Sequence, residues 1–233
     1  MALAQVGRSV LCKPVAEFAS GDGCSAIGDA VAGIVLVTRY GARVKRTFDF
    51  TASLAGLIVL APLLAVLMLL VRMQSAGPAI FAQRRVGRAG RHFTCYKLRT
   101  MYQGTASQPT HLVQAAAVTR LGQWLRRWKL DELPQLYNVV RGDMSLVGPR
   151  PCLPTQTALI AARERLGVMA VRPGITGLAQ VRGIDMSDAE RLALCDAQYV
   201  AGRSFGQDLK LLLATVGGDG RGVDRVDGRK DGA

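Results

Sequence analysis

Residues 50–71 read FTASLAGLIVLAPLLAVLMLLV, and these 22 residues contain no charged side chain. As a helix at about 1.5 Å per residue, the segment would be about 33 Å long, which is enough to cross the hydrocarbon core of a bilayer. Pro62 lies near its middle, where it removes a backbone hydrogen bond and favours a kink. The segment therefore predicts a membrane helix that is broken at Pro62.

Both flanks of this segment are basic. The flanking cations are Arg43, Lys45 and Arg46 before it, and Arg72, Arg84, Arg85, Arg88 and Arg91 after it. Because Lys and Arg favour the cytoplasmic side of a membrane, a straight span would place one cluster on the wrong side. A re-entrant helix, which enters the membrane, bends and returns, keeps both clusters in the cytoplasm. A bent single span and a buried core helix stay open as alternatives, since membrane helices tolerate proline.

The amino-acid composition excludes several classes of protein. The 233 residues carry a net charge of +13, with 49% hydrophobic and 20% charged residues, and the mean hydropathy is +0.19. This balance excludes an intrinsically disordered chain, and the positive charge favours partners that carry phosphate. Five cysteines without CxxC spacing argue against a disulfide framework or a zinc ribbon, and two histidines cannot build a histidine-rich metal site.

Changes in composition divide the chain into four parts. We expect a weakly structured lead-in at residues 1–42, the membrane helix with its basic flank at 43–74, and one α+β domain at 75–216. Residues 217–233 are rich in glycine and charge, which is typical of a disordered tail.

The domain begins with a predicted β-hairpin. Residues 77–101, GPAIFAQRRVGRAGRHFTCYKLRTM, alternate on either side of a turn that contains two glycines. The segment is strongly basic and contains no acidic residue. Either its basic side chains form a surface for anionic headgroups, or Lys97 and Arg99 clamp a phosphate from one face of the second strand. The polar stretch 104–114 predicts a loop.

An amphipathic helix is predicted next. Leu121, Trp124, Leu125 and Trp128 have helical spacing, and basic side chains lie off this stripe. Such a helix lies in a membrane interface or packs its apolar face on a core. Nucleic acid binding would use the same charges. The apolar membrane segment and the absence of an aromatic stacking pattern argue against that use.

Asp131 and Glu132 form the only adjacent acidic pair in the sequence, and a helical pattern starts at Leu133. Asp is a favourable N-cap and proline is accepted in a first turn, so we expect Asp131 to cap this helix. A helix N-terminus also attracts phosphate, and Mg²⁺ binds readily between carboxylates and phosphate oxygens. Capping alone and phosphate chemistry both remain open.

Five segments in this order resemble the bacterial sugar transferase family, the monotopic phosphoglycosyl transferases that initiate exopolysaccharide, capsule and glycoconjugate synthesis. They are KRTFDFTAS (45–53), the hairpin sequence 77–101, LDELPQL (130–136), GDMSLVGPRP (142–151) and RPGITGLAQV (172–181). The sequence departs from the usual pattern at Leu178 and Arg182, where Trp and Asn are common, so the identity of the sugar is not fixed.

The resemblance implies a function. A sugar-1-phosphate would pass from a UDP-sugar to undecaprenyl phosphate through an aspartyl phosphosugar intermediate, releasing UMP. Asp131 would be the nucleophile, and Asp131 and Glu132 would hold Mg²⁺ or Mn²⁺. The implied phosphate ligands are Lys97, Arg99, Arg126 and Arg150, and the implied further substrate contacts are Thr176, Gln180 and Tyr199.

The resemblance also implies an architecture and a location. We expect an α+β protein with a re-entrant helix broken at Pro62, interfacial amphipathic helices and one catalytic domain on the cytoplasmic face of the bacterial inner membrane. Its partners would be the UDP-sugar donor, the polyprenyl phosphate acceptor and membrane lipid, with a homodimer left open and nucleic acid excluded. The alternative is a non-catalytic basic membrane-surface adaptor, which has no need for an acidic pair between arginine-bearing motifs.

Overall fold

The computed structural model describes residues 39–102 and 117–218. The lead-in predicted for residues 1–42, the loop predicted for 104–114 and the tail predicted for 217–233 lie outside them, apart from residues 39–42 and 217–218.

Helix α1 (Arg39–Gln74) contains Pro62 and the whole apolar segment. Its part Arg43–Gln74 is long and apolar enough to cross a membrane. The most apolar window of 18 residues has a mean hydropathy of 2.9, and only 11% of that window is buried. The core helix of a soluble protein would be mostly buried. Large apolar side chains are instead exposed along it, including Ile58, Val59, Leu69 and Met73. This exposure indicates a helix that associates with a membrane.

The predicted β-hairpin is confirmed. Strands β1 (Ile80–Val86) and β2 (His92–Leu98) pair antiparallel, in a register that runs from Ile80 opposite Leu98 to Val86 opposite His92. A 3₁₀ turn (Arg88–Gly90) joins them. The backbone N–H of Val86 donates to the carbonyl of Cys152 at 2.9 Å, which fixes the hairpin to the rest of the domain.

The predicted amphipathic helix is α2 (Arg120–Arg127). Thr119 caps it, and its hydroxyl accepts from the backbone N–H of Gly122. Leu125 is fully buried, whereas Trp124 and Trp128 are about half exposed. The helix therefore packs its leucine side on the core and turns its tryptophans outward.

The prediction that Asp131 caps the following helix was wrong. Helix α3 (Gln135–Arg141) has Pro134 as its N-cap, and no side chain caps it. Asp131 lies in a separate 3₁₀ helix, Leu130–Glu132, which follows Lys129 in the left-handed region at φ 54°. The tight 3₁₀ turn displaces the acidic pair from the start of α3, and Pro134 suits the N-cap because a helix start leaves its N–H groups unbonded.

A second sheet connects the two glycine-rich motifs. Strand β3 (Ser145–Val147) pairs parallel with β4 (Gly174–Thr176). A Cβ added to Gly174 would lie 2.1 Å from the backbone nitrogen of Gly148, and one added to Gly177 would lie 2.2 Å from the carbonyl oxygen of Gly148. The two motifs thus cross at backbone contact, which requires residues without side chains.

Four further helices complete the domain. They are α4 (Thr157–Arg165), α5 (Leu178–Val181), α6 (Ala189–Gly202) and α7 (Phe205–Gly217). The largest buried apolar cluster joins α4, α5 and α6 and includes Leu159, Ala179 and Leu192. The fold is α+β, as predicted.

Both ends of α1 contact this same domain. Near its start, Lys45 Nζ lies 2.5 Å from Asp208 Oδ2, and Arg46 Nη1 donates to the Val139 carbonyl at 2.7 Å. Near its end, Leu67 and Val71 pack in a cluster with residues of β2 and α2. None of residues 54–66 between these contacts is buried.

Candidate active site

The centre of the candidate site is a cluster of three charged side chains. Glu132 Oε1 accepts hydrogen bonds from Lys97 Nζ at 2.7 Å and from Arg150 Nη2 at 3.0 Å. These residues come from the 3₁₀ helix, from β2 and from the loop after β3. The structure thus brings together three of the residues that the sequence predicted to act on substrate.

Burial and charge act in opposite directions on Glu132. Asp131 and Glu132 are only 8% and 6% exposed. Burial alone would raise the pKa of Glu132, but attraction by Lys97 and Arg150 outweighs it and holds that pKa well below its usual range. Glu132 therefore stays ionised and holds Lys97 and Arg150 in one cluster.

Arg126 lies in the last turn of α2, shortly before the acidic pair. Its Nε donates to the hydroxyl of Thr100 at 2.9 Å. Thr100 follows β2, so this bond connects α2 to the strand that carries Lys97.

Arg99 is placed elsewhere. Its Nη1 donates to the carbonyl of Ala76 at 2.7 Å, and its Nη2 donates to the carbonyl of Ser75 at 2.6 Å and to that of Val71 at 3.3 Å. The last carbonyls of a helix lack partners within the helix, and a cation there also interacts favourably with the helix dipole. Arg99 thus bonds the last turn of α1 at Val71 and the two residues that follow the helix, and the structure does not place it in the Glu132 cluster.

The three predicted substrate contacts Thr176, Gln180 and Tyr199 bond within the fold. The hydroxyls of Thr176 and Thr215 lie 2.6 Å apart, and Gln180 Nε2 donates to the Ile175 carbonyl at 3.0 Å. The Tyr199 hydroxyl donates to Asp208 at 2.8 Å. The first two bonds connect helices α7 and α5 to β4, and the third connects α6 to α7.

The environment of Tyr199 keeps its hydroxyl protonated. The side chain is buried, and its hydroxyl lies 3.0 Å from the Val147 carbonyl as well as beside Asp208. Burial and then the Asp208 carboxylate raise the pKa of Tyr199 well above its usual range. Tyr199 is therefore a hydrogen-bond donor in the core.

The sequence did not predict the ion pair that holds the backbone of Arg150 in position. Arg163 Nη2 lies 2.6 Å from Asp196 Oδ2 in a buried ion pair, and Arg163 Nη1 donates to the Arg150 carbonyl at 2.8 Å. This pair fixes the backbone that presents Arg150 to Glu132. No periodicity or motif relates Arg163 to Asp196, because they lie 33 residues apart on different helices.

A divalent metal ion fits this site only with help from substrate. Among the described residues, no group of three or more His, Cys, Asp or Glu side chains could hold a metal. Asp131 and Glu132 supply two adjacent carboxylates, and Glu132 Oε1 already bonds Lys97 and Arg150. Mg²⁺ commonly takes one or two carboxylates and completes its shell with substrate phosphates and water, so the acidic pair fits that mode of binding.

A cavity of about 360 Å³ opens beside Glu132. Its walls are mostly apolar, and they include Trp128, Leu133, Leu136, Ile175 and Val216. The cations Arg127 and Lys129 lie on the same lining. This combination suits a ligand with an anionic head and an apolar chain.

Comparison with known proteins agrees with the geometry. The model of the bacterial sugar transferase family matches residues 40–218. The undecaprenyl-phosphate glucose phosphotransferase of Komagataeibacter xylinus is 41% identical over 186 residues, covering 74% of this chain and 35% of that protein. The uncharacterized sugar transferase EpsL of Bacillus subtilis is 40% identical over 176 residues, covering 74% of this chain and 85% of that protein.

The name of a third relative states both the donor and the acceptor. The UDP-glucose:undecaprenyl-phosphate glucose-1-phosphate transferase of Caulobacter vibrioides is 41% identical over 182 residues, covering 74% of this chain and 68% of that protein. The chain therefore spans only 35% of the first relative but most of the second. On the extent of the family match and these identities, the chain belongs to the bacterial sugar transferase family.

Proposed function

We propose that this protein transfers a sugar-1-phosphate from a UDP-sugar to undecaprenyl phosphate and releases UMP, as the initiating step of exopolysaccharide or capsule synthesis. The observation that carries the proposal is the buried acidic pair with Glu132 held between Lys97 and Arg150. The named substrates of the Caulobacter relative support the choice of donor and acceptor. A membrane-surface adaptor would gain nothing from burying these charges, because desolvation makes them costly.

The chemistry is a double displacement at phosphorus. A carboxylate oxygen of Asp131 attacks the phosphorus that carries the sugar, the phosphoanhydride bond to UMP breaks, and UMP leaves with the electron pair. A phosphate oxygen of the acceptor then attacks the acyl phosphate, the bond to Asp131 breaks, and the carboxylate is restored. One difficult transfer is thus divided into two easier ones.

Lys97 and Arg150 would stabilise the negative charge in this reaction. The donor pyrophosphate and the departing UMP are negatively charged, and cations that need no reorganisation stabilise such charge effectively. Glu132 holds both cations in one cluster. A divalent ion at Asp131 and Glu132 would further neutralise the phosphates when it is bound.

The acceptor would use the apolar cavity beside Glu132. An isoprenoid chain fits a lining that contains Trp128, Leu133 and Val216, and the acceptor phosphate would lie toward Arg127 and Lys129. Glu132, the neighbour of Asp131 in the 3₁₀ helix, lies on the same lining.

For the membrane we propose the re-entrant arrangement of α1. The 25 residue steps from Arg46 to Val71 would extend about 38 Å in a straight helix, so a perpendicular span would place the two ends on opposite sides of the bilayer. Both ends contact one domain, which supports a helix that bends and returns. The apolar stripe Phe205, Leu209, Leu213 and Val216 on α7 is exposed, which supports interfacial contact on the cytoplasmic face of the inner membrane.

The proposal is tested with the purified full chain in detergent, Mg²⁺ and undecaprenyl phosphate. A panel of radiolabelled UDP-sugars is supplied one at a time, and UMP and labelled lipid are measured. We expect one or a few sugars to yield both products. Glu132→Gln should abolish them, whereas Glu190→Gln, which changes a solvent-exposed ion pair with Arg165, should not. No UMP and no labelled lipid with any sugar would refute the proposal.

A further inference from the structure

A second cavity, of about 110 Å³, lies where α1 begins its apolar run. Lys45 and Asp49 of α1 contribute to its lining. Four arginines also line it: Arg46, Arg88, Arg172 and Arg203. The cavity shares no lining residue with the Lys97, Glu132 and Arg150 cluster. It is therefore separate from the candidate active site.

The two carboxylates near this cavity, those of Asp49 and Asp208, both lie close to the ammonium group of Lys45. Lys45 Nζ lies 2.5 Å from Asp208 and 3.9 Å from Asp49. Within residues 43–102 and 117–218, none of the four arginines forms an ion pair with a carboxylate. The cavity thus has an excess of positive charge.

Two of these arginines donate hydrogen bonds to neutral carbonyls. Arg46 donates to the carbonyls of Val139 and Val140 at 2.7 and 3.0 Å, and Arg172 Nε donates to the carbonyl of Gly142 at 2.8 Å. Neutral carbonyls orient a guanidinium without cancelling its charge.

The arginines also repel one another. Burial, followed by the positive charges of Arg46 and Arg88, lowers the pKa of Arg172. A small anion between them would remove this repulsion. Phosphate is well suited because its oxygens can accept paired hydrogen bonds from several guanidiniums.

We propose that this cavity binds a phosphate group, supplied by an anionic lipid headgroup or by free phosphate. Lys45 and Arg46 come shortly before the uncharged run that starts at residue 50. With α1 embedded as proposed above, the cavity lies at the depth of the lipid headgroups, and this placement rests on the proposed function. The site would then anchor the start of α1 to the domain and to the bilayer surface.

The test uses thermal unfolding of the full chain in nanodiscs, without nucleotide sugar, so that a lack of transferase activity does not affect it. The first arm uses nanodiscs of pure phosphatidylcholine. It compares the unfolding temperature in inorganic phosphate with that in chloride, without sulfate, at equal ionic strength. The second arm compares these nanodiscs with ones that also contain phosphatidylglycerol. A rise in the unfolding temperature in the first arm identifies free phosphate, and a rise in the second arm alone identifies the headgroup.

Two cavity variants and two controls decide the outcome. Arg88→Gln and Arg172→Gln should bind the active probe about ten- to hundredfold more weakly, the effect of losing one charge-assisted contact. Arg88 is exposed, so its variant should fold even where Arg172→Gln does not. Arg91→Gln removes an exposed charge from the same hairpin outside the cavity, and Glu132→Gln alters the active site, and both should keep the native response.

Several results would overturn this proposal. One is an equal response of the native chain and Arg88→Gln to both probes. Another is an equal loss in Arg91→Gln, which would indicate a diffuse basic surface. A loss in Glu132→Gln would place the phosphate in the active site.

Discussion

Lys97 and Glu132 lie 35 residues apart in the sequence, and Lys97 Nζ lies 2.7 Å from Glu132 Oε1. The hairpin register, with Phe81 opposite Lys97, fixes the strand position of the lysine. The 3₁₀ helix fixes the glutamate. Because Arg150 shares the same oxygen, the removal of the Glu132 charge takes an ion-pair partner from both cations.

Glu132→Gln should therefore lower the free energy of unfolding at neutral pH, by up to about 3–5 kcal/mol. The pKa of Glu132 is lower in the folded protein than its ordinary 4.5, so its contribution is complete above that pH and is lost as the pH falls through the folded pKa. The stability difference from the native chain should be constant from about pH 8 to about pH 5 and shrink in stronger acid. Unfolding of the detergent-solubilised proteins across this range measures it, and a difference that grows with acid would contradict the assignment.

Arg99→Ala should act on stability more than on catalysis. It removes hydrogen bonds to the carbonyls of Val71, Ser75 and Ala76, each worth about 1 kcal/mol. We expect a lower unfolding temperature and a kcat/KM near the native value in the folded fraction. Lys97→Ala is the comparison, since it should slow turnover about ten- to hundredfold through a lost substrate contact. A stable Arg99→Ala protein with equally poor turnover would assign Arg99 to the substrate.

Gly174→Ala should severely reduce folding. The added Cβ would lie 2.1 Å from the backbone nitrogen of Gly148. The clash could be relieved only by separating β3 from β4, which would break the pairing of the strand that precedes Arg150. Gly206→Ala is the matched control, because a Cβ there meets nothing within 4 Å and alanine favours a helix by about 1 kcal/mol. Yield and unfolding temperature measure both variants. A Gly174→Ala protein as stable as the control would show that the crossing is looser than described.

Local patterns predicted the elements around the site, because hairpin alternation and helical spacing are properties of neighbouring residues. The hairpin containing Lys97 and the helix containing Leu125 were both confirmed. The acidic pair was recognised, but its 3₁₀ conformation was not, since the left-handed φ of Lys129 has no sequence signal.

Contacts between residues far apart in the chain could not be predicted from the sequence. Arg99 looks like another cation of the hairpin, and only the fold shows that its strand ends beside the C-terminal end of α1. The Arg163–Asp196 pair is hidden for the same reason, because burial of two charges becomes visible only when helices α4 and α6 pack.

The two ends of α1 should lie on the same side of the membrane. In a chain whose native cysteines are replaced, single cysteines at Val44 and Arg84 should resist a membrane-impermeant maleimide in intact cells and react after permeabilisation. Both positions are exposed at the protein surface, so protection must come from the membrane. A cysteine at Ile58, within the apolar run, should stay unreactive in both conditions. Labelling of either flank in intact cells would refute the re-entrant arrangement.

Asp131→Asn separates covalent catalysis from a structural role. Asp131 caps neither the 3₁₀ helix nor α3, and asparagine has nearly the same size. Folding and membrane insertion should therefore survive. Turnover should fall by about 10⁴-fold or more, as for other enzymes that lose a nucleophile, because a neutral amide attacks phosphorus poorly. Asp143→Asn, in the loop before β3 and paired with the exposed Arg141 at 3.4 Å, should remain active.

The same pair of variants tests for the intermediate itself. With labelled UDP-sugar and no acceptor, the native chain should release UMP in a burst of at most one per active site and retain the labelled phosphosugar. The bond should be an acyl phosphate, so hydroxylamine should release the label from the native and Asp143→Asn proteins. Asp131→Asn should take up no label, because no other group in the proposed mechanism becomes bonded to phosphorus. UMP release that strictly requires the acceptor, or a label that persists in Asp131→Asn, would rule out Asp131 as the nucleophile.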